Sequence, residues 1–225
     1  MVREIIPTAD GSQTLFLPEM DESYHSVNGA ITESEYVFIE KGYCFHPNPE
    51  PTVFEVGFGT GLNALLTAVE ANKNNRKTIF YTIEKFPLED TLIRQLNYGK
   101  LISKKAQELF EKIHSCKWNE LVEISPFFLL YKIHTDIITS PLSNIEKCDV
   151  IYFDAFGPDK QPEMWTPVIF KKIFDLCLPE SVFVTYSAKG EVRRQLTAVG
   201  FQMERLQGPP GKKQMLRGIK KNSIL

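Results

Sequence analysis

From residue 52 onward the apolar residues keep changing period, recurring at every second position over a few residues and then at every third or fourth over about a dozen. That switching constrains the fold more than any other feature. Strand-like runs at 52–56, 78–84, 127–134, 149–154 and 181–186 are separated or followed by helix-like runs at 62–72, 88–96, 103–113, 162–178 and 191–199. Strand and helix alternating five times predict an α/β fold with a mostly parallel sheet covered on both faces. Two further strands, 201–206 and 214–219, are joined by Gly208-Pro209-Pro210-Gly211. That link is too short for a helical crossover, so the pair is an antiparallel hairpin that completes a seven-stranded sheet. Pro47, Pro49 and Pro51 stiffen the approach to the first strand and suggest a division. Residues 1–50 read as a turn-rich extension with short strand-like pieces such as 36–39, packed on a main domain at 51–225.

Composition excludes several classes. With 225 residues, 43% of them apolar and 24% charged, the chain can bury a substantial core. No apolar run approaches the ~20 residues of a membrane helix, and the start of the chain has no apolar leader, so the expectation is a cytoplasmic protein that does not engage membranes. Cys44, Cys116, Cys148 and Cys177 are too widely spaced for a zinc site or a disulfide framework, so no metal is expected. Net charge is only −2, but it is unevenly placed: residues 186–225 carry nine Lys/Arg against Glu191 and Glu204, on an otherwise acidic chain. A basic end on an acidic body can localise a polyanion.

In open parallel sheets ligands gather beyond the carboxyl ends of the strands. At the first such end Gly57, Gly59 and Gly61 permit a tight turn and close backbone approach, followed by helix-terminal amides. Glu84 closes the second strand, where a carboxylate can accept from both hydroxyls of a ribose. NAD and S-adenosylmethionine both satisfy this pattern. The G-x-G-x-G spacing and Glu55 favour the second, because a carboxylate beside the loop repels a pyrophosphate and tolerates a sulfonium and an α-ammonium. Asp136, after the third strand, is placed to meet an adenine amino group. Asp154-Ala155-Phe156-Gly157-Pro158 ends the fourth strand with a carboxylate where an acceptor would sit. Tyr24, Phe58, Phe156 and Trp165 are available for stacking.

Four segments, 55–63 (EVGFGTGLN), 84–88 (EKFPL), 154–165 (DAFGPDKQPEMW) and 190–218, occur in an order that resembles one family. It is the methyltransferase domain of the MnmC-type enzymes that modify the tRNA wobble uridine. The resemblance extends to Tyr24-His25-Ser26 and Glu35-Tyr36-Val37-Phe38. Gln161 stands where the family pattern more often has Asn, and GPPGKKQM lacks the acidic residue that more often precedes its Met. The resemblance implies a Rossmann-like fold and S-adenosylmethionine-dependent N-methylation of 5-aminomethyl-(2-thio)uridine in the anticodon stem-loop of tRNA, by a monomer. It implies no FAD, because the bifunctional members carry their flavin domain after this one and the sequence stops at Leu225.

Carried onto this sequence, the cofactor contacts are Glu55, Gly57, Phe58, Gly59, Thr60, Gly61, Asn63, Glu84, Lys85, Asp136 and Phe156. The substrate contacts are Tyr24, Ser26, Pro158 and Trp165, with Arg193, Arg194, Lys212 and Lys213 meeting RNA phosphates, and Asp154 is the catalytic residue. A lysine-like amine has a pKa of about 10.4, so presenting its neutral form at pH 7 costs up to ~4.6 kcal/mol. Asp154 is the candidate for taking that proton. Two other readings stay open at this stage. One is a methyltransferase or aminopropyltransferase acting on a small amine, which would not need the basic C-terminal end. The other is a non-catalytic module that binds the cofactor or RNA.

Overall fold

The computed structural model describes residues 2–143 and 145–221; Met1, Asn144 and residues 222–225, and with them the start of the first expected domain and the end of the second, lie outside the described residues. The chain opens with β1 (Glu4–Pro7), β2 (Gln13–Leu17) and β3 (Glu22–Ser23), which form a small antiparallel sheet. Helix α1 (Ala30–Ser34) runs directly into a π-helix, Glu35–Tyr43. The strand-like run at 36–39 is therefore helical. Its β-branched and aromatic side chains carry strand propensity, but Val37, Phe38 and Ile39 find burial against the main sheet, and that contact decides the local structure.

The rest is β4 (Thr52–Val56), α2 (Leu62–Lys73), β5 (Thr78–Glu84), α3 (Asp90–Ile93), α4 (Tyr98–Ile102), α5 (Lys104–Ser115), β6 (Leu121–Ser125), β7 (Phe128–His134) and β8 (Cys148–Phe153). There follow α6 (Pro167–Leu176), β9 (Cys177–Thr185), α7 (Gly190–Val199), β10 (Phe201–Gln207) and β11 (Gln214–Lys220). The main sheet has the order β10-β11-β9-β8-β4-β5-β7-β6. All seven expected strands are present, parallel from β9 through β7, with β10 and β11 antiparallel as expected. An eighth, β6, adds an antiparallel edge to β7 through a tight turn.

Two helical expectations change. The run at 88–96 gives only the short α3, and α4 follows separately. The run at 162–178 splits into a 3-10 turn, Pro162–Met164, and α6. Pro167 disfavours helical backbone at Thr166, which instead caps α6 by accepting from the Ile169 N–H.

Side chains alternate along each central strand, so two cores form. Val53, Phe80, Leu130 and Tyr152 face α2, α5 and the π-helix; Phe54, Tyr81, Ile151 and Phe153 face α6 and α7. With both faces filled, the open rim is the C-terminal edge of the parallel strands. There β4 lies between β5 and β8, where the chain order reverses. Among the described residues no helix is long and apolar enough to cross a membrane.

Candidate active site

A cavity of about 600 Å³ opens at that rim. Its floor comes from the ends of four parallel strands: Val56–Gly59 after β4, Ile83–Phe86 after β5, Thr135–Ile138 after β7 and Asp154–Gly157 after β8. Its roof is the N-terminal segment 16–27 with Glu33, and Lys212 of the β10–β11 turn completes the wall.

The glycine loop forms as the spacing predicts. Gly57 has φ +92°, and a Cβ there would sit 2.8 Å from the Asp154 carbonyl oxygen, so only glycine lets the two strand ends close up. The Gly57 N–H donates to Ile83 O at 3.0 Å and the Asp154 N–H to Val56 O at 3.0 Å, which locks three strand ends together. Glu84 accepts from the Gly59 N–H (3.0 Å) and the Phe86 N–H (2.8 Å), so its carboxylate is held at the cavity wall with acceptor capacity to spare. Lys85 pairs with Asp136 at 2.9 Å, and the Ile138 N–H donates to the same carboxylate.

Asp154 lines the cavity between this loop and the aromatics Phe156 and Tyr186. Its Oδ2 accepts from Asn63 Nδ2 at 2.8 Å. Burial raises its pKa and the nearby Glu33 charge adds to that, while Asn63 and Lys212 pull it back, leaving it at about 7. Lys212 is the cation that acts on Asp154. Its ammonium pairs with the buried Glu33 at 2.6 Å and lies 4.0 Å from the centroid of the Tyr186 ring. Tyr186 in turn donates to Ala155 O at 2.9 Å.

Of the residues singled out from sequence, Tyr24, Ser26, Gly57, Phe58, Gly59, Glu84, Lys85, Asp136, Asp154, Phe156 and Lys212 line this one cavity. Glu55, Thr60, Gly61, Asn63, Pro158, Trp165, Arg193, Arg194 and Lys213 do not. Trp165 is 4% exposed and packs in the core that faces α6 and α7, against Phe153, with ring centroids 4.8 Å apart. Its indole N–H donates to Phe156 O at 2.7 Å, so it holds the Phe156 loop from behind instead of offering a stacking face. Thr60 meets His25 Nε2 at 2.6 Å, a contact that joins the N-terminal segment to the glycine loop. Burial lowers the His25 pKa to about 4, so this histidine is a neutral partner.

The sequence places Lys212 among the residues that meet RNA phosphates. It instead folds inward, because the turn rests on the N-terminal segment: Gly211, at φ +84°, is packed against Asn28 with no room for a Cβ. Arg193 is half-buried and Arg194 exposed on α7, and Lys213 is exposed. Sequence reasoning missed Glu33 and Tyr186. Tyr186 follows the last parallel strand, a position the strand-end rule could have flagged; Glu33 carries no local signal at all.

The residues present fit a nucleoside cofactor with a sulfonium. Gly57 and Gly59 offer bare backbone at the wall, Glu84 a ribose-sized acceptor pair, and Asp136 with the Ile137–Ile138 backbone a polar rim for a base.

The comparisons with known proteins agree with this geometry. Residues 99–221 match the family described as S-adenosyl-L-methionine-dependent methyltransferase, more than half of the chain, and the chain belongs to that family. It is 30% identical over 220 residues to the tRNA 5-methylaminomethyl-2-thiouridine biosynthesis bifunctional protein MnmC of Paraburkholderia phymatum, covering 91% of this chain and 33% of that protein. The same-named protein of Pseudoalteromonas atlantica is also 30% identical, over 94% of this chain and 32% of its own length. This chain thus spans about a third of the length of the curated relatives it matches. A crystal structure of MNMC2 from Aquifex aeolicus superposes with a TM-score of 0.83 at 25% identity, over 99% of this chain and 72% of the other. Spermidine synthase from Thermotoga maritima shares the fold at a TM-score of 0.55 and 13% identity, covering all of this chain and 73% of that one. The resemblance read from the four motifs and the Rossmann-like methyltransferase fold are both borne out.

Proposed function

We propose that this chain methylates the amine of 5-aminomethyl-(2-thio)uridine at the tRNA wobble position, giving the methylaminomethyl form. The observation that carries the reading is the placing of Asp154: a carboxyl with a pKa of about 7 in the wall of a cavity that the glycine loop also lines. The names of the relatives supply the substrate class. When bound, S-adenosylmethionine supplies a methyl group on a positively charged sulfur and leaves as S-adenosylhomocysteine. Gly57–Gly59, Glu84, Lys85 and Asp136 hold it in this reading.

The task of the other residues is the amine. A substrate ammonium has no lone pair, and Asp154 removes its proton, working close to the pH at which a general base is most effective. Lys212 opposes the ammonium by charge repulsion and so favours the neutral amine, while Glu33 keeps that lysine in place. Tyr24 and Phe156, whose rings meet edge to face at 5.1 Å in the cavity wall, suit a base splayed out of a single-stranded loop.

Phosphates of the anticodon stem-loop then run over the basic C-terminal face. The guanidinium groups of Arg194 and Arg205 both lie within 4 Å of where a side chain on Gly190 would begin, and Lys213 is free of the cavity. The division at residues 1–50 and 51–225, action as a monomer and a cytoplasmic setting belong to the same reading. The separate small sheet β1–β3 supports the division.

The test is nucleoside mass spectrometry of tRNA carrying the aminomethyl group after incubation with the protein and S-adenosylmethionine. Methylaminomethyl nucleosides appear if the reading is right. Methylation of a free small amine but not of tRNA would overturn it.

A further inference from the structure

Asp154 is tied from behind by groups that the reaction above leaves without a task. The Asn63 amide that donates to Asp154 Oδ2 at 2.8 Å also lies in hydrogen-bonding range of Glu55 on β4. Glu55 is 0% exposed and its Oε2 accepts the Thr82 hydroxyl at 2.6 Å. Two buried acceptors then have no donor: Glu55 Oε1 and Asn63 Oδ1. The acidic groups that act on Glu55 are Asp154 and Glu84, which oppose its ionisation. The Thr82 hydroxyl and the Asn63 side chain favour the ionised form, but burial outweighs them; a proton on Glu55 Oε1, donated to Asn63 Oδ1, would give both orphaned atoms a partner and leave the Asn63 N–H on Asp154 undisturbed.

We propose that Glu55, as a neutral acid, positions the Asp154 base through Asn63. The Thr82 hydroxyl holds one Glu55 oxygen, the Glu55 proton orients the Asn63 amide, and that amide pins Asp154 Oδ2, leaving the other oxygen for the substrate amine. This assigns Glu55 and Asn63 away from the cofactor contacts expected of them, in keeping with their absence from the cavity wall. Burial, first among its causes, pushes the Glu55 carboxyl well above the usual range, which agrees with a retained proton. Besides Asn63 and Glu55, the groups that face Asp154 are Glu33 of α1, Tyr186 after β9 and Lys212 of the hairpin turn. Tyr152 of β8 and Glu84 of β5 complete the surroundings of Glu55.

The inference rests on Asp154 being the base, and the experiment separates the two. Asn63→Leu, Glu55→Leu, Glu55→Gln and Asp154→Asn are assayed on aminomethyl tRNA across pH, with S-adenosylhomocysteine affinity measured by calorimetry. Asn63→Leu is expected to move the acid limb of kcat/KM toward alkaline pH by about one unit and to lower kcat about 10-fold, with cofactor affinity held within twofold. Glu55→Leu moves both in the same direction. Glu55→Gln restores most of what Leu loses, because its amide donates to Asn63 and its oxygen still accepts from Thr82.

A readout independent of activity is the infrared carbonyl band of a protonated carboxyl at neutral pH, read in the Asp154→Asn protein so that Asp154, itself half-protonated near pH 7, cannot contribute: the band is present in Asp154→Asn and absent when Glu55→Gln is added to it. An unmoved acid limb in Asn63→Leu, or no such band, overturns the positioning role. If both Glu55 variants lose cofactor affinity, Glu55 is an ionised cofactor contact and the proposal falls. A near-normal rate in Asp154→Asn overturns the base assignment itself.

Discussion

The two halves of the cavity are built by different means. The cofactor half comes from short consecutive stretches at three strand ends, each tied by its own backbone: Glu84 accepts from the Gly59 and Phe86 amides, and Asp136 from that of Ile138. The acceptor half has one strand-end carboxylate, Asp154, surrounded by Tyr24, Glu33, Tyr186 and Lys212 from four separate parts of the chain. Geometry in the first half is local and survives as long as the sheet does. Charge in the second half depends on the N-terminal segment and the C-terminal turn closing on each other, so it is more easily lost without unfolding the protein.

Substitutions can break that comparison in turn. The largest effect is expected for Asp154→Asn, which keeps the shape and loses the charge: turnover falls by roughly 10²–10⁴ while S-adenosylhomocysteine affinity holds. Calorimetry beside a single-turnover assay checks it, and a parallel loss of cofactor binding would mean the halves are not separable. Next is Glu84→Ala, expected to weaken cofactor binding by about 1.5–3 kcal/mol with the chemical step unchanged at saturating cofactor.

Lys212→Met strips Glu33 of its cation across the closure. We expect a stability loss of about 1–2 kcal/mol, reduced because Lys212 is 31% exposed, and a slower methyl transfer at neutral pH. Lys213→Met in the same turn should instead lower the slope of tRNA affinity against salt by up to about one and leave stability alone. Urea melts and a salt series distinguish the two lysines, and equal behaviour would show that the turn does not close inward in solution.

The subtlest effect to read is a pH signature. Asp154 titrates at about 7 when folded against 3.8 as its ordinary value. The folded protein therefore binds that proton more tightly than the unfolded chain. Its contribution to stability is full below pH ~3.8 and is lost as pH rises through about 7. Melts of the wild type should lose stability relative to Asp154→Asn over that window, just where the methylation rate climbs. A constant difference between the two proteins would show that the carboxyl is not held protonated by the fold.

The strand ends were legible because their signals are short-range. Residues 52–56 and 78–84 form strands over the same bounds the periodicity predicts. The glycine spacing reports a backbone need at Gly57 that no other residue meets. The π-helix at Glu35–Tyr43 was not legible, since its apolar run carries strand propensity and only its burial against the sheet selects the helix. Trp165 looked like a stacking surface because an aromatic beside prolines does not announce which way its ring turns.

By itself, then, the sequence determined seven strands of the main sheet, the helices α2, α5 and α7, the closing hairpin and the three carboxylates, Glu84, Asp136 and Asp154, that sit on the rim. These follow from periodicity and from strand termini, which depend on neighbours a few residues away. Only the tertiary structure decided that Lys212 turns in to Glu33, 179 positions earlier, that His25 meets the glycine loop, and that Asn63 donates to Asp154 while Glu55 is buried on the Thr82 hydroxyl, both off the cavity wall. Each of those is a long-range electrostatic or packing choice, set by which groups the folded chain leaves without solvent, and nothing local to the residue records it.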